Sequence, residues 1–162
     1  MKKQGGFTLI ELVVVIVILG ILAVTAAPRF LNLQGDAREA SLKGLQGAMK
    51  GAAGITYGKA AIKGIEKKES DSITVDNGDK VDVVYGYPAA TSAGIVAAMA
   101  DMANDWSVAT ESTTPKSLVA TFYNKEIDGD ADKIKATKCY LIYKEAESGA
   151  QPTIEIPTDN AC

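Results

Sequence analysis

The sequence predicts an α+β protein in which a long amino-terminal helix, hydrophobic in its first half and amphipathic in its second, packs on an antiparallel β-sheet head. Three observations support this prediction. Residues 7–27 are almost wholly apolar, residues 29–58 keep apolar side chains at helical spacing, and the remainder alternates short apolar runs with turn residues. One helix followed mostly by antiparallel strands is an α+β arrangement.

Composition excludes several kinds of chemistry. The chain has no histidine, so it cannot supply an imidazole base or the usual nitrogen ligand of zinc. Its 17 basic and 20 acidic residues give a formal net charge of -3 and are evenly mixed, whereas nucleic-acid binding needs a clustered basic surface. We therefore expect a non-enzymatic protein without a cofactor, a metal or a nucleic-acid partner.

The first predicted element is a helix over residues 7–27. At about 1.5 Å per residue it would be roughly 31 Å long, which matches the hydrocarbon thickness of a bilayer. A cleaved signal peptide would fit the small residues 25–27, and a plain membrane anchor would fit Lys2 and Lys3 on the cytoplasmic side. Neither accounts for Glu11, the one ionisable side chain in this apolar segment, because a charge in lipid is costly without a partner.

The segment Gly-Gly-Phe-Thr-Leu-Ile-Glu-Leu at residues 5–12, after a short lysine-containing leader, resembles the processing site of type IV prepilins and their secretion-system relatives. The resemblance implies that a prepilin peptidase cuts between Gly6 and Phe7, removes the leader 1–6, and N-methylates Phe7. It also implies that the Glu11 carboxylate pairs with the α-amino group of Phe7 in a neighbouring subunit during assembly. The apolar helix is then retained as both membrane anchor and filament core.

The same resemblance implies partners and a location. Identical subunits in a helical filament, the prepilin peptidase and the assembly machinery of the inner membrane are the expected partners. The chain would span the bacterial inner membrane once before assembly and then lie in an extracellular pilus. Residues 25–30 and 85–89 resemble one group of these pilins more closely, and this closer likeness implies attachment to surfaces and to host or sugar-bearing cells. A type II secretion pseudopilin and a membrane-anchored periplasmic binding module remain the alternatives.

Pro28 begins the second part of the helix, residues 28–60. Proline removes one helical hydrogen bond, so we expect a kink or local melting at Pro28 during assembly, the alternative being a plain boundary between membrane helix and head. Glycines in this part cost helix stability and need close packing in return, either against the sheet of the same chain or against neighbouring subunits. These glycines are at positions 35, 44, 47, 51, 54 and 58.

The remaining residues, 61–162, form the predicted head. Strands at 72–75 and 80–85 flank an Asp-Asn-Gly-Asp turn at 76–79, which is a strong hairpin signal. We then expect a short helix that Thr91 or Ser92 caps and that ends before Trp106, which would anchor the core. Further strands are predicted at 118–123, 138–143 and 153–156.

Two features near the carboxyl terminus remain. Carboxylates alternate from Asp128 to Asp132 as at the start of a calcium loop, but the pattern then fails, which favours a solvated acidic turn over a weak cation site. Cys139 and Cys162 would be oxidised in an exported domain, and without histidine they make a poor zinc site. The pilin resemblance implies that these two cysteines form a carboxyl-terminal disulfide.

Overall fold

A computed structural model describes residues 6–75, 78–159 and 161–162, without the side chains of 27–32. The chain divides into two compact units, Met1–Ala37 and Arg38–Cys162. Helix α1, Leu9–Ile62, contributes to both. The long helix with an apolar first half and the antiparallel sheets confirm the predicted α+β fold. Residue 28 is helical, but its side chain lies outside the described set, and the kink at Pro28 stays a prediction.

In the second unit, α1 buries one face in the core of the head. The buried side chains recur every three or four residues, which is the period of one helix face. Gln46 ties this face to the last strand of the head, because its Nε2 donates a hydrogen bond to the carbonyl oxygen of Ile154 at 2.7 Å. The buried positions are Leu42, Leu45, Met49, Ala53, Thr56 and Ala60.

The strands form two antiparallel sheets, where the sequence predicted one. The first sheet has the order β1-β2-β3, with β1 Asp71–Thr74, β2 Lys80–Val84 and β3 Tyr87–Pro88. The hairpin prediction is confirmed by the pairing of Thr74 with Lys80, although Asp76 and Asn77 of its turn lie outside the described residues. Strand β3 was not predicted, because two residues are too short to show a periodic pattern.

The second sheet has the order β4-β5-β6-β7. Its strands are β4 Trp106–Glu111, β5 Ser117–Phe122, β6 Leu141–Lys144 and β7 Thr153–Glu155. The predicted strands at 118–123 and 153–156 agree within one residue at each end. The strand predicted from 138 begins only at Leu141, because Lys138 adopts a left-handed backbone with φ of 51°. Strand β4 was missed.

The helix predicted after residue 91 is wrong in its extent. A π-helical turn covers Ser92–Val96, and the short helix α2 covers Met102–Asp105, with turns between them. Thr91 makes no capping hydrogen bond. The tight turn depends on Gly94, since a Cβ at that position would lie 2.1 Å from the carbonyl oxygen of Ala89. Backbone packing therefore overrides the helical pattern.

Tyr143 and Trp106 fix the core of the head. Tyr143 is buried on β6, and its hydroxyl donates to the carbonyl oxygen of Pro88 on the other sheet at 2.6 Å. Burial raises the pKa of Tyr143 far above its usual value, so this hydroxyl stays a donor. Trp106 packs on Phe122 with ring centroids 4.9 Å apart and contacts the main core, which agrees with its predicted role.

Candidate functional site

The peptide bond between Gly6 and Phe7 lies just before the first helix. Both residues are exposed, Phe7 to 91%, and neither belongs to a helix or strand. A Cβ added at Gly6 would meet no atom within 4 Å. The bond predicted to be cleaved is therefore exposed, and a larger side chain at Gly6 would meet no atom of the described structure.

Thr8 and Glu11 form a reciprocal cap at the start of α1. The backbone N–H and the hydroxyl of Thr8 donate to Glu11 Oε2 at 2.8 and 2.7 Å. In return, the Glu11 N–H donates to the Thr8 hydroxyl at 3.3 Å. This is a capping box, and its signal was present in the sequence as Thr-x-x-Glu but was missed. Both bonds to the carboxylate end on one oxygen, so capping does not require Oε1.

The apolar part of α1 has no cover within the described chain. By length and composition, Leu9–Ala26 is able to cross a membrane. All its side chains are exposed, and the apolar residues lie on every side of the helix. A helix that is apolar all round is stable only when lipid or other protein surrounds it.

Five glycines form an exposed face on the second part of α1. A Cβ at any of these five positions would meet nothing within 4 Å, so packing against the sheet of the same chain is the wrong explanation for them. The large apolar side chain Ile55, 67% exposed, lies among them. We name this surface the glycine face; it consists of Gly44, Gly47, Gly51, Gly54 and Gly58.

The acidic stretch before α3, Ala131–Ala136, has a structural role. Asp128 accepts a hydrogen bond from the Val108 N–H at 3.0 Å. Asp130 caps α3 by accepting from the Lys133 N–H at 3.1 Å, and this bond is the main cause that lowers the pKa of Asp130. Among the described residues, no group of three or more Cys, Asp or Glu side chains is placed to hold a metal ion.

The two cysteines form a disulfide, as the resemblance implied. The Cα atoms of Cys139 and Cys162 are 4.7 Å apart, and 23 positions separate them in the chain. The Ala161 N–H also donates to the carbonyl oxygen of Lys138 at 2.6 Å. The bridge fixes the carboxyl terminus against the core, which Cys162 contacts.

Comparison with known proteins supports the interpretation of the amino terminus. Residues 1–27 match the family described as the prokaryotic N-terminal methylation motif. The matched residues include the exposed Gly6–Phe7 bond, the Thr8–Glu11 cap and the exposed apolar part of α1. The chain has the prokaryotic N-terminal methylation motif at its amino terminus.

Two relatives extend this likeness to pilins beyond the motif. The type IV narrow pilus major component PilA5 of Thermus thermophilus is 47% identical over 63 residues, which are 39% of this chain and 53% of that protein. The fimbrial protein EcpC of Eikenella corrodens is 33% identical over 98 residues, 60% of this chain and 64% of that protein. The chain thus spans less than two thirds of each relative, and no solved structure is significantly similar to it. Both relatives are named as components of a pilus or a fimbria, which agrees with the predicted non-enzymatic role.

Proposed function

We propose that this chain is a major structural subunit of a type IV pilus, in which its apolar helix forms the filament core. The observation that carries the proposal is the set of exposed apolar side chains along Leu9–Ala26, because such a helix requires a cover that the described residues do not provide. The methylation motif and the two pilus and fimbrial relatives support the same function.

Processing comes first in the proposed sequence of events. The subunit is held in the inner membrane by its apolar helix, and a prepilin peptidase cuts between Gly6 and Phe7 and methylates the new Phe7 amino group. The exposure of both residues supports this step. The assembly machinery then transfers the helix from lipid to a bundle of identical helices, which replaces one apolar surrounding by another. The filament is extracellular.

Glu11 guides the docking of a new subunit. Its carboxylate in an apolar surrounding is stabilised by the α-amino group of Phe7 in a neighbouring subunit. The cap with Thr8 is compatible with this pairing, since it uses Oε2 twice and leaves the other oxygen for the incoming cation. Pro28 supplies a point where α1 bends or melts as the subunits pack.

The filament serves attachment. The sequence is similar to the mannose-sensitive haemagglutinin pilin at residues 25–30 and 85–89, which supports binding to surfaces and to host or sugar-bearing cells, and hence biofilm formation. A type II secretion pseudopilin is less well supported, because the relatives are named for a pilus and a fimbria and the head carries a carboxyl-terminal disulfide.

Replacement of Gly6 tests the proposal. Gly6→Val places a branched side chain at the cleavage site, so we expect uncut precursor in the membrane and no filaments. Gly6→Ala is the matched control and should be cut and assembled. Mass spectrometry of the amino terminus and electron microscopy of the cells measure both outcomes. Normal filaments from Gly6→Val cells would contradict the processing step, and cut subunits that never form filaments in Gly6→Ala cells would contradict the structural role.

A further inference from the structure

A cavity in the head joins the end of α1 to the turn between β2 and β3. Its volume is about 500 Å³, within the range of about 300–1,000 Å³ that is typical of small-molecule sites. The segment 148–151 closes one side. We name this cavity the tyrosine groove; the lining residues used below are Tyr57, Glu66, Lys67, Tyr85, Tyr87 and Gln151.

Three half-buried tyrosines give the groove aromatic walls. The rings of Tyr57 and Tyr87 stack with centroids 4.5 Å apart and an angle of 19° between their planes. Burial raises the pKa of Tyr87, so its hydroxyl stays protonated and able to donate. Tyrosine is amphipathic, with an apolar ring and a polar tip, and therefore suits a ligand that has the same two properties.

The third tyrosine occupies an unusual position. Tyr85 and Gly86 are the two residues of the β2–β3 turn, and both have positive φ, 48° and 79°. Such turns favour asparagine followed by glycine, and a bulky aromatic residue in this conformation is an outlier. Gly86 is required in any case, because a Cβ there would lie 2.9 Å from the Cα of Glu66. The turn thus keeps a tyrosine at the groove against its local conformational preference.

Glu66 supplies an unpaired polar atom at the same place. Its Oε2 is buried and has no hydrogen-bond partner among the described residues. A buried carboxylate oxygen without a partner loses the hydrogen bonds that it made to water, so a donor that reaches this carboxylate would stabilise it. Lys67 also lines the groove and balances the charge of Glu66, which leaves the lining with no net charge. A neutral ligand that brings its own hydroxyl donors fits these conditions.

The groove extends beyond the stacked pair of tyrosines. A second cavity of about 420 Å³ shares Tyr57, Tyr87 and Gln151 with the first and continues along α1 to Lys50 and Gly54. The two cavities therefore share the same aromatic pair.

We propose that the tyrosine groove binds a neutral saccharide, with a pyranose ring against a tyrosine ring and a sugar hydroxyl donating to the Glu66 carboxylate. A pyranose has an apolar face of C–H groups and an edge of hydroxyls, which matches the aromatic walls and the carboxylate. In the first cavity, the balanced charges of Glu66 and Lys67 disfavour a charged ligand, and the same two ionised side chains disfavour a lipid tail. This site would supply the sugar binding on which the proposed attachment function rests, but the binding itself does not depend on filament assembly.

The test uses the full-length chain in a zwitterionic detergent that contains no sugar. The probes are the methyl pyranosides of glucose, galactose, mannose and N-acetylglucosamine, observed by saturation-transfer NMR. We expect at least one pyranoside to receive saturation from the protein. Glu66→Gln and Tyr85→Asn should each weaken that binding about tenfold, because the first replaces the carboxylate and the second removes a ring. Asparagine suits the turn, so the fold is preserved.

Tyr123→Asn is the matched control, because Tyr123 is an exposed tyrosine outside the groove. It should bind as the unmodified chain does. No saturation of any pyranoside, or equal binding by all three variants, would overturn the proposal. In cells, Tyr85→Asn subunits should form normal filaments that adhere less to sugar-coated surfaces. Missing filaments in the unmodified strain would instead contradict the proposed function, whatever the outcome for sugar binding.

Discussion

The two parts of helix α1 contain similar apolar residues but differ in how far these side chains are exposed to solvent. In Leu9–Ala26 every side chain is exposed, and Leu19 is 58% exposed. In residues 38–62 one face is buried, and Leu42 is 0% exposed. The first part is apolar on all sides, whereas the second carries an apolar stripe that the sheets of the head cover. Whether an apolar side chain of α1 is buried therefore depends on the surface available to cover it and not on its hydrophobicity alone.

The glycine face shows that the second part of α1 also has an uncovered side. Its glycines cost helix stability, and a Cβ added at any of them would meet no atom within 4 Å. The covered stripe therefore stabilises the head, while the glycine face and the whole first part are available to partners. This division leads to predictions that separate assembly from stability.

The largest effect is expected at Glu11, in the uncovered part. Glu11→Gln keeps a capping side chain, since glutamine also serves in a capping box, but removes the charge. We expect subunits that are cut normally and yet form no filaments, as judged by mass spectrometry and electron microscopy. Thr8→Val is the matched control, which loses the capping hydroxyl and keeps the charge, and it should still assemble. Wild-type filaments from Glu11→Gln cells would show that Glu11 acts only as a cap.

The next largest effect is expected when a buried leucine is replaced by alanine, and an exposed leucine serves for comparison. Leu42→Ala leaves a cavity in the core and should lower the free energy of unfolding by about 2–5 kcal/mol. Leu19→Ala should leave the unfolding of the head unchanged and reduce filament yield instead. Urea denaturation followed by the fluorescence of Trp106, the one tryptophan, measures the first quantity. Equal destabilisation by the two variants would remove the distinction between the two parts of the helix.

The disulfide is expected to contribute to the stability of the head and not to the exposed first part of α1. Its reduction should lower the free energy of unfolding of the head by about 3 kcal/mol, because the reduced unfolded chain regains the entropy that the closed loop had removed. Thermal unfolding of the full-length chain with and without dithiothreitol measures the change. Cys162→Ser serves as the control, since reduction should then have no further effect. Identical midpoints for the oxidised and reduced chains would contradict this contribution.

The smallest effect is expected on the glycine face, where a substitution should stabilise the head but reduce the yield of filaments. Gly51→Ala should raise the free energy of unfolding by up to about 1 kcal/mol, because alanine is the better helix former and its methyl group meets no atom. Filament yield should fall, and Gly51→Leu should lower it further if a neighbouring subunit lies close to this face. Unchanged filaments from both variants would show that no subunit packs there.

Most of the fold was predictable from the sequence where a pattern is long or a signal is local. The helix through residue 58 and the first hairpin follow from apolar period and from an Asn-Gly turn. Strand β3, strand β4 and helix α3 were missed, because each is short or lacks a distinctive pattern. The helix expected after Thr91 failed because Gly94 packs on the backbone of Ala89, a contact between residues that no periodicity shows.

The features of the candidate site likewise fall into those that could be predicted from the sequence and those that could not. The motif residues Gly6 and Phe7, the lone carboxylate of Glu11 and the apolar helix could be found from the sequence alone, since they depend on residue type and neighbouring positions. The outward direction of the glycines, the capping of α3 by Asp130 and the meeting of Glu66 with three tyrosines in one groove became visible only in the folded chain. They could not be predicted, because the packing of segments far apart in the sequence decides which face of an element is covered.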